Sequence, residues 1–122
     1  MKSIIENKKV EQEFKKFYIF KNSALVSLEQ CENLARLIEC PEIPAYKKDE
    51  LIQMLAKQCT LTEILINEAK RANHKTIRAI EINSILSHKA VKEAIMHEQT
   101  NLEGCWSEFA IKYKHKDGEL EK

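Results

Sequence analysis

Lys21, Gln58, Thr62, Ser84 and His88 are the residues of this sequence best suited to chemistry on a small molecule. Each interrupts an otherwise apolar stripe at helical spacing, so each points toward the core of any bundle the chain forms. An ammonium, an imidazole, an amide and two hydroxyls at one level make a polar pocket for a small ligand or an acidic side chain. The same set has a plainer meaning. Isolated polar positions in a core fix helix register, with the lysine snorkelling to water. The plainer meaning is the expectation here, and the pocket is the alternative.

The other chemical signals are weaker. Glu93 and His97 share a helix face at i, i+4, as metal ligands do, but they fall on the solvent side and no second Glu/His pair matches them. No metal and no cofactor are expected. Cys31, Cys40, Cys59 and Cys105 are singletons without a C-x-x-C pair, and nothing sets a histidine beside Cys59, the cysteine least clearly on an apolar stripe. The chain has no Gly-rich phosphate loop, no G-x-S-x-G and no H-E-x-x-H. His88 with Lys89 and Lys92 resembles the histidine-phosphotransfer bundles in size and class alone. Those carry Lys-Gly at a set spacing after the histidine, whereas Val91 and Lys92 follow Lys89-Ala90 here. Non-enzymatic function is therefore expected.

Charge sets further bounds. Twenty basic against nineteen acidic residues leave a formal net charge of +1, which gives no electrostatic footprint for nucleic acid. The basic, aromatic-interleaved stretch Phe14–Lys21 is the best candidate for such contact, yet Phe14 and Phe17 fall at core spacing. That leaves Tyr18 and Ile19 as a second interface patch. The first ten residues lack an apolar signal-peptide core, and no apolar run approaches the ~18–20 residues of a membrane span. Unpaired cysteines and no leader point to a reducing, cytoplasmic setting.

These side chains need elements to position them. Two Gly and two Pro in 122 residues are too few for a strand-and-turn fold, and Lys, Glu, Ile, Leu and Ala dominate. The class is all-α, in a single domain over 1–113 with a frayed tail at 114–122. Val10, Phe14, Phe17, Ala24, Leu28, Cys31, Ala35 and Ile38 recur in a heptad, coiled-coil-like pattern in which Lys21 fills the missing slot; this predicts a helix over about 5–39. Cys40-Pro41-Glu42-Ile43-Pro44 stops it. A second helix follows over about 45–72. Asn73 as C-cap and Thr76 as N-cap predict a tight link at 73–75, then a long third helix over 76–113. The expected architecture is an antiparallel up-down bundle of three long helices, with a fourth if the last one breaks near 100–104.

Counting levels from a turn at residue 74 leaves Cys105, Trp106, Phe109 and Tyr113 beyond the start of the second helix. An aromatic row left in water marks an interface; folding back as a fourth helix is the other way to bury it. The expected function is a protein–protein interaction module: an adaptor, a chaperone-like or inhibitor protein, or a self-associating homo-oligomer subunit. Trp106, Phe109, Tyr113 and Cys105 are its partner-binding residues, and no nucleic acid is involved.

Overall fold

The computed structural model describes residues 8–82 and 88–121, with side chains described for 8–82 and 89–113. Among these, three helices form and no strand does: α1 (Lys8–Glu39), α2 (Ala45–Ile82) and α3 (His88–Glu121). The all-α, three-helix bundle expected from composition and periodicity is the fold.

Helix α1 keeps one phase through all of its 32 residues. Val10, Phe17, Ala24, Leu28 and Cys31 are buried, with Phe14, Lys21, Ala35 and Ile38 half-buried in the intervening slots. Asn22 and Ser23 both lie on the exposed face, so neither disturbs the buried seam. The proline link closes with two tight backbone bonds, from Cys40 N–H to the Leu37 carbonyl and from Ile43 N–H to the Cys40 carbonyl. The Pro44 carbonyl then accepts from Lys48 N–H and starts the ladder of α2. Proline suits this position because it needs no donor there.

Helix α2 departs from expectation. It runs 38 residues, straight through the link expected at 73–75. Ile52, Leu55, Cys59, Thr62, Ile66, Ala69, Asn73, Thr76 and Ile80 alternate in steps of three and four, so the seam continues in phase to the helix end. Asn73 and Thr76 favour caps on local grounds because their side chains compete for backbone groups. Here both are satisfied inside the helix. Thr76 Oγ1 donates to the Ala72 carbonyl at 2.8 Å, and Asn73 Nδ2 donates to the Ile95 carbonyl of α3 at 2.9 Å. Burying Ala72, Asn73, Thr76, Ala79 and Ile80 outweighs the capping preference. The third helix accordingly begins at His88 rather than Thr76, and Ile77 and Ile80 belong to α2.

Helix α3 is unbroken through 100–104, so no fourth helix forms there, and it continues past Tyr113 to Glu121. Gly104 is exposed, with open space where a Cβ would stand. Ile95, Gln99, Leu102 and Phe109 are buried, with Trp106 and Tyr113 half-buried at the remaining steps of the seam.

The three helices are not equally close. α1 and α2 approach each other along most of their shared length, whereas α3 lies farther from both. Small side chains explain the tight pair: Ala24 on α1 and Ala69, Ala72 and Ala79 on α2 sit in the main core with Val10, Phe17, Ile66 and Ile80. Alanine in a seam lets helix axes draw together.

Candidate functional site

A cleft of about 500 Å³ opens where the C-terminal end of α1, the N-terminal end of α2 and the later half of α3 converge. Its apolar floor and walls come from Ala35, Ile38, Ile52, Leu55, Phe109 and Tyr113. Its remaining lining is Cys105 and five charged side chains: Glu32, Arg36, Glu39, Glu108 and Lys112. Arg36 is held along α1 by the Asn33 side chain, with its Nη2 donating to Asn33 Oδ1 at 2.7 Å. An apolar interior with a polar rim is the make-up of a recognition site.

Helix α3 supplies the aromatic side of this cleft. Phe109 and Tyr113 stack with ring planes 4° apart and centroids 6.0 Å apart, and Trp106 tilts against Phe109 at 5.8 Å. Steps of three and four residues put all three rings on one face. Three of the four partner-binding residues named from sequence, Cys105, Phe109 and Tyr113, line the cleft. Trp106 lies instead between the two core clusters and packs on both. The row does not overhang. Because α2 runs on to Ile82 and α3 starts at His88, Phe109 meets Leu28, Cys31 and Leu55 rather than water.

The polar residues named from sequence do not form one layer. Gln58 and Thr62 do meet, together with Ser27 of α1, which was not among the polar residues named from sequence. Gln58 Nε2 donates to Ser27 Oγ at 2.8 Å, Ser27 and Thr62 hydroxyls lie 2.6 Å apart, and Thr62 Oγ1 donates to the Gln58 carbonyl at 2.9 Å. With those donors used, the Ser27 proton goes to Thr62, and every member of the network is satisfied. Cys31 Sγ lies 3.5 Å from the same Thr62 hydroxyl. The signal for Ser27 was its place beside Ala24, Leu28 and Cys31 on the seam.

Lys21 stands two turns away and serves a different contact. Its ammonium is 3.5 Å from Glu98 Oε2 and 5.0 Å from the Tyr18 ring centre, and Tyr18 donates its hydroxyl to Glu98 Oε1 at 3.2 Å. Partial burial, then the Glu98 carboxylate, raise the Tyr18 hydroxyl above the ordinary phenol range. This α1–α3 tie consumes the lysine that sequence reasoning placed in a pocket. Ser84 and the side chain of His88 lie outside the described residues. The start of α3 at His88 sits near the end of α2, about 30 Å along the bundle from Thr62 at 1.5 Å per residue. A layer joining Lys21 and the start of α3 to Gln58 and Thr62 is thereby corrected. Its cause is the misplaced turn, which shifted every level on the third helix.

Two further features were not foreseen. Gln99 is 6 % exposed, and neither its amide nitrogen nor its amide oxygen has a partner. Cys31 and Cys59 face each other across the α1–α2 seam in the second core cluster. Among the described residues no group of three or more His, Cys, Asp or Glu gathers to hold a metal, and no helix is long and apolar enough to cross a membrane.

The class these observations define is an antiparallel three-helix bundle with a tight α1–α2 pair and a looser third helix. No family model, curated protein or solved structure matches the chain significantly.

Proposed function

We propose that this chain is a non-enzymatic protein–protein interaction module that takes an amphipathic helix of a partner into the cleft between α1, α2 and α3. The observation that carries the reading is the cleft itself: an apolar floor of Ile38, Ile52 and Leu55, walled by the stacked Phe109 and Tyr113 and ringed by charge. The lining from Cys105 to Tyr113 spans nine residues of α3, a rise of about 12 Å, which fits two to three anchor side chains at i, i+3/i+4 and i+7. Tyr18, Lys21, Ser27, Gln58 and Thr62 are absorbed in structural networks, which favours binding over catalysis. A second copy of the chain is the self-associating form of the same proposal, and four free thiols suit a cytoplasmic setting.

A second reading has its own observation. A volume of about 500 Å³ falls within the ~300–1,000 Å³ typical of small-ligand pockets, so an apolar small molecule is the competing occupant.

A photo-crosslinking amino acid at Lys112, on the rim, tests both, with one at the exposed Lys57 of α2 as the control. The expected result is adducts at 112 that map to amphipathic helical segments, absent at 57 and lost on Ile38→Asp with the helical circular dichroism retained. Equal adducts at both positions, or adducts unaffected by Ile38→Asp, would overturn the proposal. Displacement of Trp106 emission by fatty acids or other apolar small molecules, without any protein adduct at 112, would establish the second reading instead.

A further inference from the structure

We propose that Cys31 and Cys59 form a peroxide-responsive dithiol that closes to an intramolecular disulfide across the α1–α2 seam. The pairing follows from register. Ser27 meets Thr62, so one turn further along α1 and one turn back along α2 bring Cys31 and Cys59 to the same level. Both pack with Leu28, Leu55 and Phe109 in the second core cluster. Cys31 is fully buried and Cys59 half-buried, so the pair is reached from one side. The other cysteines differ in setting: Cys40 sits in the proline link, and Cys105 is exposed on α3.

The Thr62 hydroxyl, 3.5 Å from Cys31 Sγ, and the Cys59 thiol beside it place the first-reacting sulfur at Cys31. The Cys59 thiol stabilises a Cys31 thiolate, burial opposes it, the Thr62 hydroxyl adds to the stabilisation and Glu32 detracts, with the balance bringing Cys31 down to about 7. Cys59, beside that anion, buried and near Glu63, is pushed far up. Ionisation turns the Thr62 hydroxyl from the Gln58 carbonyl to the sulfur, a rotation its position permits. A thiol with a depressed value is the one that attacks a peroxide at neutral pH.

The chemistry balances with hydrogen peroxide as the oxidant. The Cys31 thiolate attacks one peroxide oxygen; the S–O bond forms, the O–O bond breaks, and the departing hydroxide takes up the proton released when Cys31 ionised, leaving as water. The product is a sulfenic acid at Cys31. The Cys59 sulfur then attacks the Cys31 sulfur; the S–S bond forms, the S–O bond breaks, and the Cys59 proton leaves with the hydroxyl as a second water. The two thiols together lose two electrons and two protons, and one peroxide becomes two waters.

The test uses the full chain carrying Cys40→Ser and Cys105→Ser, treated with hydrogen peroxide and mapped by non-reducing peptide mass spectrometry. A Cys31–Cys59 linked peptide, with the intact mass lowered by two hydrogens and restored by dithiothreitol, is expected. The oxidised form should unfold at higher urea than the reduced form, because the link ties α1 to α2. Adding Cys59→Ser should trap the sulfenic acid as a dimedone adduct at Cys31. Oxidation that stops at sulfinic or sulfonic acid, linkage between chains only, or no reaction in folded protein would each overturn the dithiol. The parent chain carries the main readout, so a variant that folds poorly does not decide the outcome.

Discussion

At the residue scale, the bundle sets paired polar groups beside a buried amide that is not paired. Ser27, Gln58 and Thr62 close a complete hydrogen-bond chain, and Asn73 reaches the Ile95 carbonyl. Gln99 does neither, although it occupies a seam position of α3 between Ile95 and Leu102. A buried amide with both atoms unpaired costs about 1–3 kcal/mol, and leucine has nearly its shape. Gln99→Leu should therefore raise stability by about that amount, read as a higher midpoint in thermal or urea unfolding. An unchanged or lowered midpoint would mean that Gln99 has a partner in solution. The sequence placed Gln58 and Thr62 on the inner face correctly, because a heptad position reports direction. It gave no view of which polar side chains meet, since that depends on the relative rise of two helices to within a turn. Lys21 illustrates the difference: its inward position was legible, but its ties to Tyr18 and Glu98 were not.

At the element scale, the length of α2 governs everything on α3. Asn73-His74-Lys75 has the composition of a helix end, and the structure carries α2 through it to Ile82. His74 is exposed, so its side chain does no packing and only its backbone is at stake. Proline there removes the His74 N–H and crowds the Lys70 carbonyl, at a cost of about 3 kcal/mol or more in a helix interior. His74→Pro should accordingly destabilise the protein by that order in urea unfolding and lower its helicity. In a link the same change would be close to neutral, so a wild-type midpoint would place the turn at 73–75 after all. The clue lay in the steps of three and four from Thr62 through Ile66, Ala69, Asn73, Thr76 and Ile80, which pass the supposed link without losing phase. Capping chemistry is local and worth about 1 kcal/mol; a continuous buried seam sums over many residues and prevails.

At the scale of the whole molecule, the bundle divides into a close α1–α2 pair and a third helix held at greater distance. α3 is tied to the pair by the Tyr18–Glu98 hydrogen bond, the Lys21–Glu98 and Lys92–Glu81 ion pairs, the Asn73–Ile95 hydrogen bond and a single apolar seam. The ion pair of Lys92 with the exposed Glu81 contributes little. Local opening should begin with α3, so native-state amide exchange should be fastest there and slowest in the α1–α2 seam from Phe17 to Cys31 and from Leu55 to Ala72. Uniform protection of all three helices would contradict the division. Looser packing at the α3 aromatic row also leaves the cleft beside Phe109 and Tyr113, where the proposed partner helix enters.

The sequence by itself determined the all-α class, the proline stop after α1, the inner face of α1 and the placement of aromatics in a row on the last helix. These are properties of composition and of a three-and-four period, which a helix expresses regardless of its neighbours. The tertiary structure decided where α2 ends, which helices lie close, and whether the aromatic row meets water or protein. Those outcomes depend on the sum of burial over facing helices. Carrying α2 past 74 to Ile82 and starting α3 at His88 slides α3 along its partners and changes every contact it makes.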